Sequence, residues 1–225
     1  MEEFDIIDTA IPTLGPSKIP SPVKPPLDNS RCNSFVADTD RVALDVDIDK
    51  TKQLIEAGID PPAFELAGPR EKIYFDPSKL KCAMVTCGGL CPGLNDIIRS
   101  IVLQLYYGYG VRNIFGIRYG LQGFIPKYGH DVIALNPEVV ANILDTGGSI
   151  LGSSRGPQSV DEILDSLERM NIGILFMIGG DGTLRAASAL ADAIKERSLK
   201  ISVIGIPKTI DNDIIMVSRS FGFDT

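Results

Sequence analysis

Ile172-Gly-Ile-Leu-Phe-Met-Ile-Gly-Gly-Asp-Gly-Thr183 is the stretch that decides the fold. Residues 172–178 show no polar face, as expected of a strand covered on both sides in the centre of a parallel sheet. The glycines stop the strand, and the alanine-rich residues 184–196 read as the helix that follows. A carboxylate at this turn is poorly placed for a core. Asp181 is well placed to hold Mg²⁺, directly or through water. Gly180 and Gly182 leave room for a nucleotide's phosphates. Thr183 is expected to cap the helix.

Working outward, the same alternation recurs. Residues 82–86 are a short apolar run ending in glycines, and so a buried strand. Residues 95–107 carry Ile97, Ile98, Ile101, Val102 and Leu105 at helical spacing. Strands are expected at 111–117 and 201–206, and helices at 137–144 and 160–170. The class is α/β, with a mostly parallel sheet, flanking helices and right-handed crossovers. Ligands bind such sheets beyond the carboxyl ends of the strands.

Three further loops carry chemistry. Cys87-Gly-Gly-Leu-Cys-Pro-Gly-Leu-Asn95 joins a strand to a helix. Gly88, Gly89 and Gly93 let backbone N–H groups approach a phosphate, and the helix adds its positive end. The loop lacks a Walker ending and the dinucleotide glycine spacing, so a plain tight turn stays open as its reading. In Leu151-Gly-Ser-Ser-Arg-Gly-Pro157, Arg155 stands among small residues, free to reach a phosphate or to lie on the surface. Pro207-Lys-Thr-Ile-Asp-Asn-Asp213 sets two carboxylates beside a lysine and a hydroxyl. Phosphoryl transfer needs a proton acceptor, a metal and positive charge around the moving group. Asp211 suits the first role, Asp213 the second through bound water, and Lys208 the third. The competing reading is an Asx-rich turn.

The bulk properties narrow the field. The 225 residues suffice for one large domain or a domain with an arm, and the formal charge of −7 speaks against a general nucleic-acid or membrane-surface binder. No run approaches a membrane-spanning length, and the acidic N-terminus lacks signal- and transit-peptide features. Cys32, Cys82, Cys87 and Cys91 form no Cys-x-x-Cys pair, and His130 is the only histidine. They read as reduced thiols of a cytoplasmic protein rather than a zinc site. Residues 1–30, with Ile19-Pro-Ser-Pro-Val-Lys-Pro-Pro26, read as an extended arm. Residues 31–79 read either as an accessory segment or as a solvated arm. The expected division is therefore 1–79 and 80–225.

The four loops, in this order, resemble the phosphofructokinase family from about Lys81 to Thr225. Arg219-Ser-Phe-Gly-Phe-Asp-Thr225 and Asn33-Ser-Phe-Val-Ala-Asp-Thr-Asp-Arg-Val42 add to the likeness. Within the family the chain looks most like the atypical ATP-dependent branch, grouped by descent with pyrophosphate users. The resemblance implies a Rossmann-like first domain of a glycolytic, allosteric enzyme. That enzyme moves the ATP γ-phosphoryl group to the 1-hydroxyl of fructose 6-phosphate with Mg²⁺. It also implies a homo-oligomer. By motif match, Gly88 binds ATP through its backbone, and Arg155 and Gly156 line the phosphate path. Gly180, Asp181, Gly182 and Thr183 hold ATP, with Asp181 on the metal. Thr209, Ile210 and Asp211 hold the sugar. Pyrophosphate enzymes of the family carry aspartate at the Gly182 position and lysine at the Lys208 position, so this chain is a hybrid expected to use ATP. The family's second half, with further sugar-phosphate ligands, has no counterpart before Thr225. The expectation is the N-terminal part of a longer enzyme. Alternatives are a pyrophosphate-dependent enzyme, an NAD-kinase-like or lipid-kinase-like protein, and a non-catalytic nucleotide-binding subunit.

Overall fold

The computed structural model describes residues 9–24, 35–45 and 47–225. Cys32, the ends of the expected 1–30 arm and the start of the 33–42 segment lie outside them. The chain forms two compact units, Met1–Tyr74 and Phe75–Thr225.

The first unit is built from short pieces. Strand β1 (Ile19–Pro20) pairs antiparallel with β4 (Lys72–Ile73), and β2 (Arg41–Ala43) with β3 (Ala63–Glu65). Helix α1 (Ile48–Glu56) is capped by Asp47, whose carboxylate accepts from the amides of Asp49 and Lys50. Sequence pattern assigned none of these pieces; the strands, ladders of two or three residues, carry no readable period.

The second unit holds a five-stranded sheet in the order β7-β6-β5-β8-β9. Its centre is β5 (Lys81–Thr86), parallel to β6 (Asn113–Ile117) on one side and β8 (Ile174–Gly179) on the other. β9 (Ser202–Pro207) continues the parallel order beyond β8. Both faces of β5 are covered. Ala83 and Val85 join one apolar layer with Leu164, Leu167, Leu190 and Ile194. Cys82 and Met84 join the other with Ile98, Val102 and Leu151. Hence the continuous apolar runs. Each large side chain so buried contributes about 1.5–3 kcal/mol.

Helix α3 (Val160–Met170) starts at an N-cap: Ser159 Oγ accepts from the Glu162 amide. It ends at Asn171 in the left-handed conformation. Helix α4 (Asp181–Glu196) lies on the same face, and Arg197 ties the two by reaching Asp161 at 2.6 Å and Asp165 at 2.9 Å.

Three expectations are corrected. β7 (Val132–Leu135) is an antiparallel edge strand that pattern reading missed, reached from β6 through 3₁₀ turns at Gly120–Phe124 and Pro126–Tyr128. Residues 137–144 form successive turns, not a helix, with a single i→i−4 bond from the Val140 amide to Asn136. Eight residues with adjacent valines are too few to sustain a helix nucleus. Helix α2 (Leu94–Leu103) runs on as a widened π turn at Gln104–Gly108.

Candidate functional site

The carboxyl ends of β5, β8 and β9 lie side by side. The Cys87 amide donates to the Ile178 carbonyl and the Lys208 amide to the Gly179 carbonyl, each at 2.9 Å. Three of the glycine and carboxylate loops leave the sheet from these ends, and the fourth, carrying Arg155, folds against the first. Together they line one cavity of about 1060 Å³. Gly88, Arg155, Gly156, Gly180, Asp181, Gly182, Thr183, Lys208, Thr209, Ile210, Asp211 and Asp213 are all on its wall. The sequence expected each of them at a ligand site, and the fold brings them to a common space.

Lys208 is the deepest charge, with only 6% of its surface exposed. Its Nζ donates to the Gly89 carbonyl oxygen. A Cβ placed on Gly89 would lie 3.9 Å from Arg155 Nη2 and 4.0 Å from Lys208 Nζ. Two cations therefore converge over one glycine, which suits a dense anion. Arg185 adds a third positive group on the wall, paired with Asp181.

At the start of α4 the backbone enters from Gly180 in an extended conformation. The amides at Asp181 and Gly182 have no preceding helical carbonyl, and the helix dipole points its positive end at the cavity. Thr183 is not the cap. It is the third helical residue, 7% exposed, and its amide donates back to Gly180 at 2.9 Å. The repeated glycines offer two possible starts, and the earlier one is used. Asp181 is two-thirds exposed on the cavity wall, 2.8 Å from Arg185. That i,i+4 spacing was visible in the sequence, although Arg185 was not singled out. No atom lies within 4 Å of a Cβ built on Gly182.

The Gly88 backbone, expected to bind a nucleotide, has partners within the chain. Its N–H donates to the Ser154 carbonyl at 3.1 Å, and its carbonyl accepts from Ser153 Oγ at 2.6 Å. Gly88 contributes space instead: φ is +80° and nothing lies within 4 Å of a Cβ there. The serines were legible only as a flexible loop.

The segment after β9 is held by its own polar groups. Thr209 Oγ1 donates to Asp213 at 3.3 Å and accepts from the Asp211 amide at 3.1 Å. Asn212, at φ +52°, donates to the Ser218 carbonyl and accepts from the Ser220 amide. The buried Ser220 hydroxyl returns to the Thr209 carbonyl at 2.9 Å. Asp211 and Asp213 are thereby left exposed on the cavity wall.

Cys82, Cys87 and Cys91 are buried and held as thiols. Burial pushes the Cys82 thiol up to about 12 and the Cys87 thiol up to about 11, despite the pull of Leu121, Lys208 and Thr183 on the latter. Burial also raises Cys91. Among the described residues no three His, Cys, Asp or Glu side chains form a metal cluster, and no helix is long and apolar enough to cross a membrane.

A family model described as Phosphofructokinase matches residues 81–225. The ATP-dependent 6-phosphofructokinase of Borreliella burgdorferi is 58% identical over 161 residues, covering 72% of this chain and 36% of the relative. That of Amycolatopsis methanolica is 44% identical over 219 residues, covering 97% of this chain and 48% of the relative. The chain thus spans about half the length of these curated relatives, or less. The crystal structure of a pyrophosphate-dependent phosphofructokinase from Marinobacter aquaeolei shares the fold. Its TM-score is 0.58 at 21% identity, over 64% of this chain and 37% of that one.

Proposed function

The chain belongs to the phosphofructokinase family, and on that premise we propose that it is the donor-side part of an ATP-dependent 6-phosphofructokinase. The reaction transfers the γ-phosphoryl group of ATP to the 1-hydroxyl of fructose 6-phosphate. One observation carries this reading: Arg155 and Lys208 converge over Gly89 in the same cavity that Asp181, Asp211 and Asp213 line.

The roles follow from position. Lys208 and Arg155 take the charge of the transferring group, which a loose transition state spreads over its oxygens. The open start of α4 receives the nucleotide's phosphates, with Gly182 leaving them room. Asp211 accepts the hydroxyl proton, its backbone fixed by Thr209. Thr209 and Ile210 border the sugar. Mg²⁺ commonly binds through one or two carboxylates plus substrate phosphates, so the exposed oxygens of Asp181 and Asp213 fit it without a three-ligand cluster. Bound there, it would neutralise phosphate charge. The buried free thiols Cys82, Cys87 and Cys91 agree with a cytoplasmic setting, and a homo-oligomer is proposed from the family alone.

The second reading, pyrophosphate as donor, is favoured by Lys208 and opposed by Gly182. The test is turnover of fructose 6-phosphate by the whole protein with ATP or pyrophosphate, beside calorimetry of ATP binding to this chain. Turnover with pyrophosphate and none with ATP overturns the proposal.

A further inference from the structure

We infer that Asn95 is a positioning residue, whose side-chain amide clamps the 146–150 turn and thereby sets where Arg155 stands over the cavity. Its consequence for ligand binding rests on the phosphate reading above; the clamp itself does not.

Residues 146–154 contain no strand or α-helix. Their backbone groups need other partners, and buried side chains from the 86–95 loop supply them. Asn95, 2% exposed in the first turn of α2, uses both ends of its amide. Nδ2 donates to the Thr146 carbonyl at 2.7 Å, and Oδ1 accepts from the Ile150 amide at 2.9 Å. Thr86, 1% exposed, donates to the Gly152 carbonyl at 2.6 Å and lies 2.8 Å from Ser149 Oγ. Ser149 Oγ accepts from the Leu151 amide. Leu151 is wholly buried, and its carbonyl accepts from the Tyr119 amide at 2.8 Å. Ser153 and Ser154 then close on Gly88.

Arg155 follows directly, and its exposed side chain reaches Gly89 from the end of this pinned segment. Its place over the cavity is therefore inherited from the clamps. Among them Asn95 alone bridges the two ends of the 146–150 turn. Leucine at that position keeps the branched skeleton, with bulkier methyl groups, but leaves the Ile150 N–H and the Thr146 carbonyl without these partners, so the turn must open to water. Aspartate keeps the acceptor for Ile150 and loses the donor to Thr146. A merely structural Asn95 would anchor α2 and leave Arg155 unaffected.

Hydrogen exchange on the full 225-residue chain tests the clamp without a ligand. Asn95→Leu is expected to speed exchange at 147–155 while α3 and β8 keep their protection, with Asn95→Asp in between. Unchanged exchange at 147–155, or a uniform rise throughout, overturns the inference. ATP titration tests the consequence. Asn95→Leu should weaken ATP about tenfold beside Arg155, and under about twofold in the Arg155→Ala background. Equal losses in both backgrounds would refute positioning through Arg155. Should Asn95→Leu not fold, Asn95→Asp carries both measurements. If the parent chain takes no ATP, the proposed function falls, and the exchange result alone decides the clamp.

Discussion

Lys208 Nζ donates to the carbonyl oxygen of Gly89, tying the end of β9 to the loop after β5 across the cavity. The lysine is buried and Gly89 is exposed, so the two partners respond differently to loss of the bond. Water can replace the lysine at the carbonyl, but it does not replace the lysine's charge.

Lys208→Met keeps most of the apolar stem and should leave the melting temperature within a few degrees of the parent. Affinity for ATP should fall about 10- to 100-fold, the weight of one charge-assisted contact. Scanning fluorimetry and calorimetry on the same samples check this. Unaltered affinity would remove Lys208 from the site.

Gly182→Asp meets no protein atom within 4 Å of the new Cβ. The empty protein should therefore accept it with little change in stability. A bound nucleotide would meet a second carboxylate beside Asp181, and ATP should bind at least about tenfold more weakly. Pyrophosphate, which has no α-phosphate or nucleoside to crowd, should be less affected. Parallel titrations with the two ligands decide it, and equal penalties would refute the steric argument.

Gly120 sits at φ +61°, and a Cβ there would stand 2.5 Å from Ser154 Oγ and 2.8 Å from the Ser154 amide nitrogen. Backbone cannot yield as a side-chain tip can. Gly120→Ala should cost about 1–3 kcal/mol in urea unfolding. It should also disturb the Arg155 loop more than the sheet.

The thiols provide a test of burial. Cys82 and Cys87 should resist alkylation in the native chain at pH 8 and react once it is unfolded. Both are raised by burial, to about 12 and about 11. Their contribution to stability is full below the unfolded thiol's value near 8.5 and is lost as pH rises through the folded values. Between those limits each thiol lowers stability by about 1.4 kcal/mol per pH unit. Equilibrium unfolding from pH 8 to 10 measures the slope, and a flat profile contradicts the burial.

Much of this was legible in the chain. β8 announced itself because its apolar run is packed within the sheet and glycines end it, and β5 followed the same rule; β9 was found by its apolar run, although as an edge strand it is only half-buried, with Ile204 exposed. Three of the loops were readable because glycines, or carboxylates beside a lysine, have few reasons to gather at strand ends, and the fourth because an arginine stands among small residues. β7 was not, since Val132-Ile-Ala-Leu135 is too short to show a period and pairs only at an edge. Nor could the sequence show that Gly88 spends its amide on Ser154, or that Asn95 grips a turn about fifty residues on. Such bonds depend on which loops the fold brings together. The misread start of α4 has a different cause: Gly-Gly-Asp-Gly-Thr is locally compatible with either cap.

The strand order also governs when this molecule can come into being. β5 is the first strand of the sheet to leave the ribosome, and it can pair with β6 soon afterwards. Its other neighbour arrives only when Ile174 can meet Cys82, about ninety residues later, and loops of that length close slowly. Until then one side of β5 is an open row of donors and acceptors, a hazard for a nascent chain. β9 comes later still, bringing Lys208 with it. The cavity is thus the last part of the sheet to be completed, so its ability to hold a ligand should report that folding has finished.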